Sequence, residues 1–513
     1  MKKIVYVIVV FFCVGVLVYF LSSYFNKLNL IFQEQASPPE ELTNAQEKEV
    51  WLNIFVHGSF GTMLGMLSLS KVAKDDVKGS WYHEIIRDMR KDPKFFTEQT
   101  ILKKGLLKIT PTLDPADLNN QRLAAYPITK AFDEIIKKTN PNQINNYYVF
   151  GWTGLISQKR RRLEAVRFYN EICEEYKQYE NKGIKPKIRI LTHSHGGNLC
   201  LNLAAVNYII QQPTNALQVL NKNKNEHDSL IELLNLIKTL PNKEVAKLKG
   251  KMKKYDYLPL NKDLKVQELV LLGVPIQPET ENFCNYDFFE KIYNIYSTKD
   301  YVQQIDFIST KQGYSSQRIS PRIAHNQNKI IQARVMIGRS MKKEKINILD
   351  KPIKNDAQKQ EASETLFNKI ISSAQAYFAD GLKDPTHKDL WFAAWGRENE
   401  SSLSPLPIIV LIPLITKTLS CAKNTHNDFD VNIKKSKDGK YLKFQVSKYD
   451  EFRVEVEELF PFDIIDRLKK DFGKWKPIED KEKDTNLALI FNNINAKFNN
   501  ILSYQVLEMV KKI

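Results

Sequence analysis

Residues 192–197 of the chain are Thr-His-Ser-His-Gly-Gly, and they lie between two apolar segments. Ile-Arg-Ile-Leu at 188–191 is typical of a buried strand, whereas residues 198–210 have the composition of an apolar helix. A serine at this junction, Ser194, would occupy a sharp strand-to-helix turn. Such a turn crowds the neighbouring strand and helix, so it needs small residues beside the serine, and Gly196 and Gly197 supply them.

The predicted turn would hold the Ser194 hydroxyl above the end of a sheet, close to the N–H groups of the helix start. At this point the sequence resembles the nucleophile elbow of the α/β-hydrolase family, Gly-x-Ser-x-Gly, and its lipase and esterase branches in particular. Thr192 replaces the first glycine of that pattern. The resemblance implies that Ser194 is the nucleophile and that Gly196 and Gly197 complete the elbow.

A second segment that resembles this family lies upstream. Residues 50–56 (VWLNIFV) have the composition of a buried strand and lead directly into His57-Gly58-Ser59. In the family, the loop after this strand supplies a backbone N–H to the oxyanion, and its glycine allows close approach to the substrate. The resemblance therefore assigns the oxyanion hole to the N–H groups of Ser59 and His195, and gives His57 a loop-shaping role.

The family places an acid and then a histidine base after later strands. Residues 267–275 are predicted to be a buried parallel strand, and residues 291–297 alternate with the period of a strand. Asp300 follows the second of these strands, in a Tyr-Ser-x-x-Asp pattern that resembles many hydrolases of this kind. Asp300 is therefore the predicted acid, with Asp306 as the alternative.

The candidates for the base are the histidines later in the chain, His325, His387 and His426. Residues 384–392 (DPTHKDLWF) place His387 in a turn directly before an apolar helix, which resembles the terminal histidine loop of the family. His387 is therefore the predicted base. His325 stays open, because a predicted strand at 332–337 leaves the position of the final strand undetermined.

The alternation of predicted strands and helices indicates an α/β protein with a mostly parallel, doubly wound sheet, and the resemblance implies the α/β-hydrolase fold. This domain is predicted at 49–400. A helical insertion at 211–265 follows the predicted helix at 198–210. It is either a cap over the site or a helical segment exposed to solvent.

Residues 401–513 are predicted to form an α+β C-terminal extension. Its apolar stretch at 404–415 is too short and too rich in proline to span a membrane. Core packing is favoured for this stretch, while an acyl-chain pocket or a lid stays open. Residues 429–446 are predicted to form a β-hairpin with an Asp-Gly turn.

The first 26 residues are a separate element. Two lysines precede an uncharged apolar run at 4–21, which is long enough to cross a bilayer core. The run is longer than in a usual secretory signal and lacks a small-x-small site, so an uncleaved signal-anchor at 1–26 is favoured over a cleaved signal. The positive-inside tendency then predicts a single-pass membrane protein with a cytoplasmic N terminus and its catalytic domain on the extracytoplasmic side. The polar segment 27–48 is the predicted linker.

The net charge and the cysteine spacing limit the classes of partner and cofactor that the sequence predicts. The net charge of +17 favours apposition to an anionic membrane surface, and no zinc-finger or RNP-like pattern points to nucleic acid. The five cysteines show no C-x-x-C spacing and no histidines at metal-ligand intervals, so neither a metal nor a cofactor is predicted. Scattered buried thiols are favoured over disulfides. The oligomeric state is left open.

These features together predict a membrane-anchored serine hydrolase that cleaves carboxylic esters through an acyl-enzyme, with lipid esters as candidate substrates. A thioesterase, amidase or peptidase would use the same triad and stays open. A catalytically inactive hydrolase fold that serves as a membrane-tethered binding module also stays open, because Thr192 departs from the family pattern.

Overall fold

The architecture is given by a computed structural model. It describes residues 48–59, 104–111, 124–155, 157–212, 224–241, 257–260, 262, 264–300, 303, 310, 314–324, 328–338, 384–391, 403, 406–422, 427–451 and 453–474. The predicted signal-anchor at 1–26 and all but the last residue of the predicted linker lie outside these ranges, as do Asp306, His325 and His426. Within the described ranges, every helix is too short or too polar to traverse a bilayer.

The strands follow one another along the whole described chain. They are β1 Glu49–Val56, β2 Gly105–Ile109, β3 Gln143–Gly151, β4 Lys187–His193, β5 Val266–Leu272, β6 Phe289–Tyr296, β7 Ile330–Ile337, β8 Asp428–Lys435, β9 Tyr441–Lys448 and β10 Val454–Pro461. The α-helices are α1 Ala125–Thr139, α2 Gln158–Glu180, α3 His195–Gln211, α4 Lys224–Lys238, α5 Pro278–Glu281, α6 Pro321–Ala324, α7 His387–Trp391, α8 Ile412–Cys421 and α9 Phe462–Lys474. Short 3₁₀ helices lie at Asn282–Asn285 and Ile408–Leu411.

The described strands form one ten-stranded sheet in the order β10-β9-β8-β7-β6-β5-β4-β1-β3-β2. The seven strands from β8 to β3 in this order are parallel, while β2, β9 and β10 run antiparallel to their neighbours at the two edges. The prediction of an α/β protein with a mostly parallel sheet is therefore confirmed. The strand order reverses at β1, because β3 lies on one side of it and β4 on the other. In open parallel sheets, the carboxyl ends of strands at such a reversal border a crevice.

Helices cover both faces of the sheet, as a parallel sheet requires. In β1, Phe55 packs with Phe132 of α1 and Trp391 of α7, whereas Ile54 and Val56 belong to the core that includes residues of α2 and α3. Residues of β4 divide in the same way, with Leu191 on the first face and Ile190 on the second. Successive residues of a strand point to opposite faces of the sheet, so they pack against different layers of helices.

The described part of the predicted insertion belongs to the core. Leu230 and Leu233 of α4 are buried and pack with α2 and α3 on one face of the sheet. Arg162 of α2 forms an ion pair with Glu232 of α4. Residues 242–256 of the predicted insertion lie outside the described residues.

The predicted C-terminal extension continues the sheet. The hairpin of β8 and β9 is confirmed, and its turn contains Gly439 with a φ of 73°. β8 also pairs in parallel with β7, so its backbone satisfies N–H and C=O groups that an edge strand would leave unpaired. The Ile408–Leu411 segment is completely buried against α1, which confirms the favoured prediction of core packing.

Candidate active site

Ser194 occupies a strained turn between β4 and α3. Its φ of 50° and ψ of −134° are unusual for a residue with a side chain. Among the described residues, Asp450 is the other non-glycine residue with positive φ. The Ser194 N–H donates to the carbonyl of Leu272 at the end of β5, 3.1 Å away. A conformation of this kind costs about 1–3 kcal/mol and persists only where its surroundings fix it.

Small residues are required around this turn, as the sequence predicted. A Cβ added to Gly196 would lie 2.4 Å from the His57 carbonyl oxygen, and one added to Gly197 would lie 2.3 Å from a methyl group of Val274. A Cβ on Gly58 would lie 2.8 Å from the Cβ of Ser194. The loop after β1 is therefore in direct contact with the turn that carries the serine.

Thr192, the residue that departs from the elbow pattern, is accommodated within the sheet. Its side chain is buried, and its hydroxyl donates to the carbonyl of Val270 on β5 over 2.9 Å. A buried hydroxyl with a partner avoids the cost of an unsatisfied polar group. The larger residue is thus packed against β5 without disturbing the turn that follows it.

His57 is held at both ring nitrogens by backbone groups. Its Nδ1 donates to the Gly58 carbonyl over 2.7 Å, and its Nε2 accepts from the Trp152 N–H over 3.1 Å. The indole N–H of Trp152 donates to the His57 carbonyl, and the two rings stack with 5.5 Å between their centroids. These contacts fix the loop after β1, in agreement with the loop-shaping role predicted for His57.

His195 contacts a buried cation. Nη1 of Arg161 donates to Nδ1 of His195 over 3.0 Å, and Nη2 donates to Oε1 of Gln277 over 2.8 Å. Arg161 and His195 are both fully buried. The guanidinium charge therefore lies beside the N-terminal end of α3, where the helix dipole is also positive.

Asp300 and His387 form the hydrogen-bonded pair that the sequence analysis assigned as acid and base. Nδ1 of His387 lies 2.8 Å from Oδ2 of Asp300. The Asp300 side chain is fully buried, whereas the His387 side chain is 11% exposed. Because a carboxylate can only accept, Nδ1 carries the hydrogen and Nε2 is the nitrogen left for a substrate or a nucleophile. A buried carboxylate thus orients an accessible imidazole.

The loops that carry this pair are tied together by Asp384, which the sequence analysis did not single out. Its Oδ2 accepts from the hydroxyl of Thr298, in the Asp300 loop, over 3.2 Å. Its Oδ1 accepts from the N–H of Ile337, at the end of β7, over 3.4 Å. Asp384 therefore anchors the start of the His387 loop to the ends of β6 and β7. Its position directly before Pro385 could have identified Asp384 from the sequence, because Asp-Pro favours the start of a turn.

His193 brings the serine strand into contact with the pair. It is the last residue of β4, and its ring centroid lies 4.3 Å from that of His387. The period of two along β4 puts His193 on the same face as Leu191, and His387 and Trp391 of α7 pack on that face.

The structure thus gathers most of the predicted site at the carboxyl ends of β1, β4, β6 and β7. Ser194, His195, Gly196 and Gly197 form the turn after β4, and Ser59 lies on the loop that touches it. The hydroxyl of Ser59 is buried and makes no hydrogen bond with any described residue. No group of three or more His, Cys, Asp or Glu side chains within the described ranges is placed to hold a metal ion.

No protein-family model matches the sequence, and comparison with curated proteins finds no match.

Proposed function

We propose that this protein is a serine hydrolase of the α/β-hydrolase fold and that it cleaves carboxylic esters through an acyl-enzyme. The observation that carries the proposal is the hydrogen bond between Asp300 and His387, at the same end of the sheet as the strained turn of Ser194. The serine follows β4, the acid follows β6 and the histidine follows β7. This is the chain order of nucleophile, acid and base in that family.

In the proposed reaction, Oγ of Ser194 attacks the ester carbonyl while Nε2 of His387 takes the hydroxyl proton. Asp300 holds the imidazole in the required tautomer and stabilises its positive charge. The imidazolium then gives the proton to the leaving alcohol, which leaves the acyl group esterified to the serine. His387 next activates a water molecule, whose attack releases the acid and restores the free hydroxyl.

The proposed oxyanion hole consists of the backbone N–H groups of Ser59 and His195. His195 is the first residue of α3, and the first N–H groups of a helix have no acceptor within the helix. The contact between Gly58 and Ser194 supports the assignment of Ser59, because it brings that loop against the turn. A backbone donor aimed at the oxyanion contributes about 3 kcal/mol to the stability of the transition state.

The proposed substrates include lipid esters, because the apolar run at 4–21 would tether a strongly basic body to a membrane. We place the N terminus in the cytoplasm and the catalytic domain on the extracytoplasmic side, from the two lysines that precede the run. The Ile408–Leu411 segment gives no support to lipid binding, since it is packed in the core. The same three side chains would also cleave thioesters or amides.

A fluorophosphonate probe tests the proposal on the full-length protein. We expect labelling of the wild type and none of Ser194→Ala. Ser436→Ala, which removes a hydroxyl in the turn between β8 and β9, is the matched control and should label like the wild type. A folded wild type that is not labelled would favour the inactive binding module.

Hydrolysis of p-nitrophenyl esters of increasing acyl length then defines the substrate class. Lipid esters as substrates require rates that rise with chain length. A preference for acetyl or butyryl esters would count against them.

A further inference from the structure

His193 packs against two ring side chains of α7, those of His387 and Trp391. Its ring centroid is 4.3 Å from that of His387, at an interplanar angle of 41°, and 5.5 Å from that of Trp391, at 16°. The side chain is almost completely buried. The residue before the proposed nucleophile is therefore packed directly against the proposed base.

A hydrogen bond accompanies this packing. Nε2 of His193 lies 3.1 Å from the backbone carbonyl oxygen of His387. Because a carbonyl can only accept, Nε2 must carry a hydrogen. Burial, and next the proximity of His387, lower the pKa of His193 well below its usual value of 6.5. The imidazole of His193 is therefore a neutral donor.

The two contacts of His387 restrain different parts of it. Asp300 holds the ring at Nδ1, from the loop after β6. His193 holds the main-chain carbonyl, from the last position of β4. Since Ser194 is the next residue along the chain, the strand that carries the serine also fixes where the backbone of the histidine lies. Catalytic groups misplaced by about 1 Å can lose 100-fold in rate.

We propose, on the basis of the proposed hydrolase function, that His193 is a positioning residue that sets the separation between Ser194 and His387. It acts through the hydrogen bond to the His387 carbonyl, and its ring contact with His387 adds a second restraint. It does not exchange a proton with the substrate.

Two substitutions separate positioning from plain core packing. His193→Gln retains an N–H donor near the position of Nε2 but removes the ring. His193→Phe retains a ring against Trp391 but has no donor. If the hydrogen bond positions the base, kcat of His193→Phe falls about 10- to 100-fold with KM within about twofold of the wild type, and His193→Gln retains most of kcat. If the residue only fills the core, the order of the two variants is reversed and the inference fails.

The low-field proton NMR resonance of the hydrogen bond between His387 and Asp300 provides a readout that does not require turnover. We expect it to be retained in His193→Gln and shifted or broadened in His193→Phe. An unchanged resonance in His193→Phe would overturn the inference, even if the wild type proved inactive. Failure of the wild type to react with fluorophosphonate would instead overturn the proposed function, so the two failures are distinguishable.

Discussion

Asp300 accepts a hydrogen bond of 2.8 Å from Nδ1 of His387, across a sequence separation of 87 residues. The aspartate follows β6, and the histidine begins α7, beyond β7. β6 and β7 are neighbouring parallel strands, so their carboxyl ends meet at one edge of the sheet. The topology thus joins two side chains that no local pattern connects.

Replacing Asp300 with asparagine should abolish most activity without unfolding the protein. The amide is close in shape to the carboxylate, but it can favour the wrong tautomer of His387. By analogy with serine hydrolases, kcat for p-nitrophenyl ester hydrolysis should fall about 10³- to 10⁴-fold. Asp438→Asn, in the exposed turn between β8 and β9, is the control and should be fully active. If Asp300→Asn retained a tenth or more of the wild-type kcat, Asp300 would not be the acid that orients His387.

Replacing Gly196 with alanine should destabilise the fold. The new methyl group would meet the backbone oxygens of His57 and Val56 at 2.4 and 2.9 Å, and backbone cannot move aside as a flexible side chain can. We expect a loss of about 3 kcal/mol in the free energy of unfolding, at the upper end for overpacking. Denaturant unfolding measures the change.

Gly183→Ala provides the comparison for that measurement. Gly183 has a φ of 74°, but an added Cβ there would meet nothing within 4 Å. Its cost should be limited to backbone strain of about 1–2 kcal/mol. Equal losses in the two variants would show that the contact between Gly196 and the loop after β1 is not tight.

The periodic patterns of the sequence predicted the parallel core well. Buried strands such as β1 and β5 are nearly continuous apolar runs, and the turn after β4 has a distinctive set of small residues. The edge strands β2 and β10 were missed. β10 alternates acidic and apolar residues, and its pairing with β9 depends on a sheet edge that no local pattern reveals.

The predicted site was incomplete for a related reason. The family resemblance singled out Ser194, Asp300 and His387, which occur in recognisable local patterns. The supporting contacts of His193 and Asp384 are defined by partners far away in the chain, at His387 and Ile337. Strand period could have placed the His193 ring on the correct face, but not its hydrogen bond.

The described cysteines should differ sharply in reactivity towards thiol reagents. Cys173, Cys200 and Cys284 are buried free thiols, and burial raises their pKa, to about 12 for Cys173 and Cys284. Cys421 is exposed at the end of α8, which corrects the expectation that the thiols are all buried.

Reaction with a chromogenic disulfide reagent checks this difference in a Cys13→Ser background. One thiol should react quickly in the native protein, and all four should react after denaturation, because only an accessible thiolate is nucleophilic. Addition of Cys421→Ser should remove the fast phase. Fewer than four reactive thiols after denaturation without reductant would indicate a disulfide.

The neutral state of His193 should make the fold sensitive to acid. Burial, followed by the charge of His387, lowers the pKa of this histidine, and His57 and His195 act in the same direction. His193 therefore binds a proton near pH 6.5 in the unfolded chain but not in the folded chain. The free energy of unfolding consequently decreases as the pH falls below that value. One unit below it, the loss is about 1.4 kcal/mol from this residue alone. In His193→Gln this contribution is absent, so the stability of the variant relative to the wild type should improve by that amount between pH 7.5 and 5.5. Urea unfolding of both proteins at the two pH values measures the difference, and parallel pH dependences would mean that His193 is protonated within the fold.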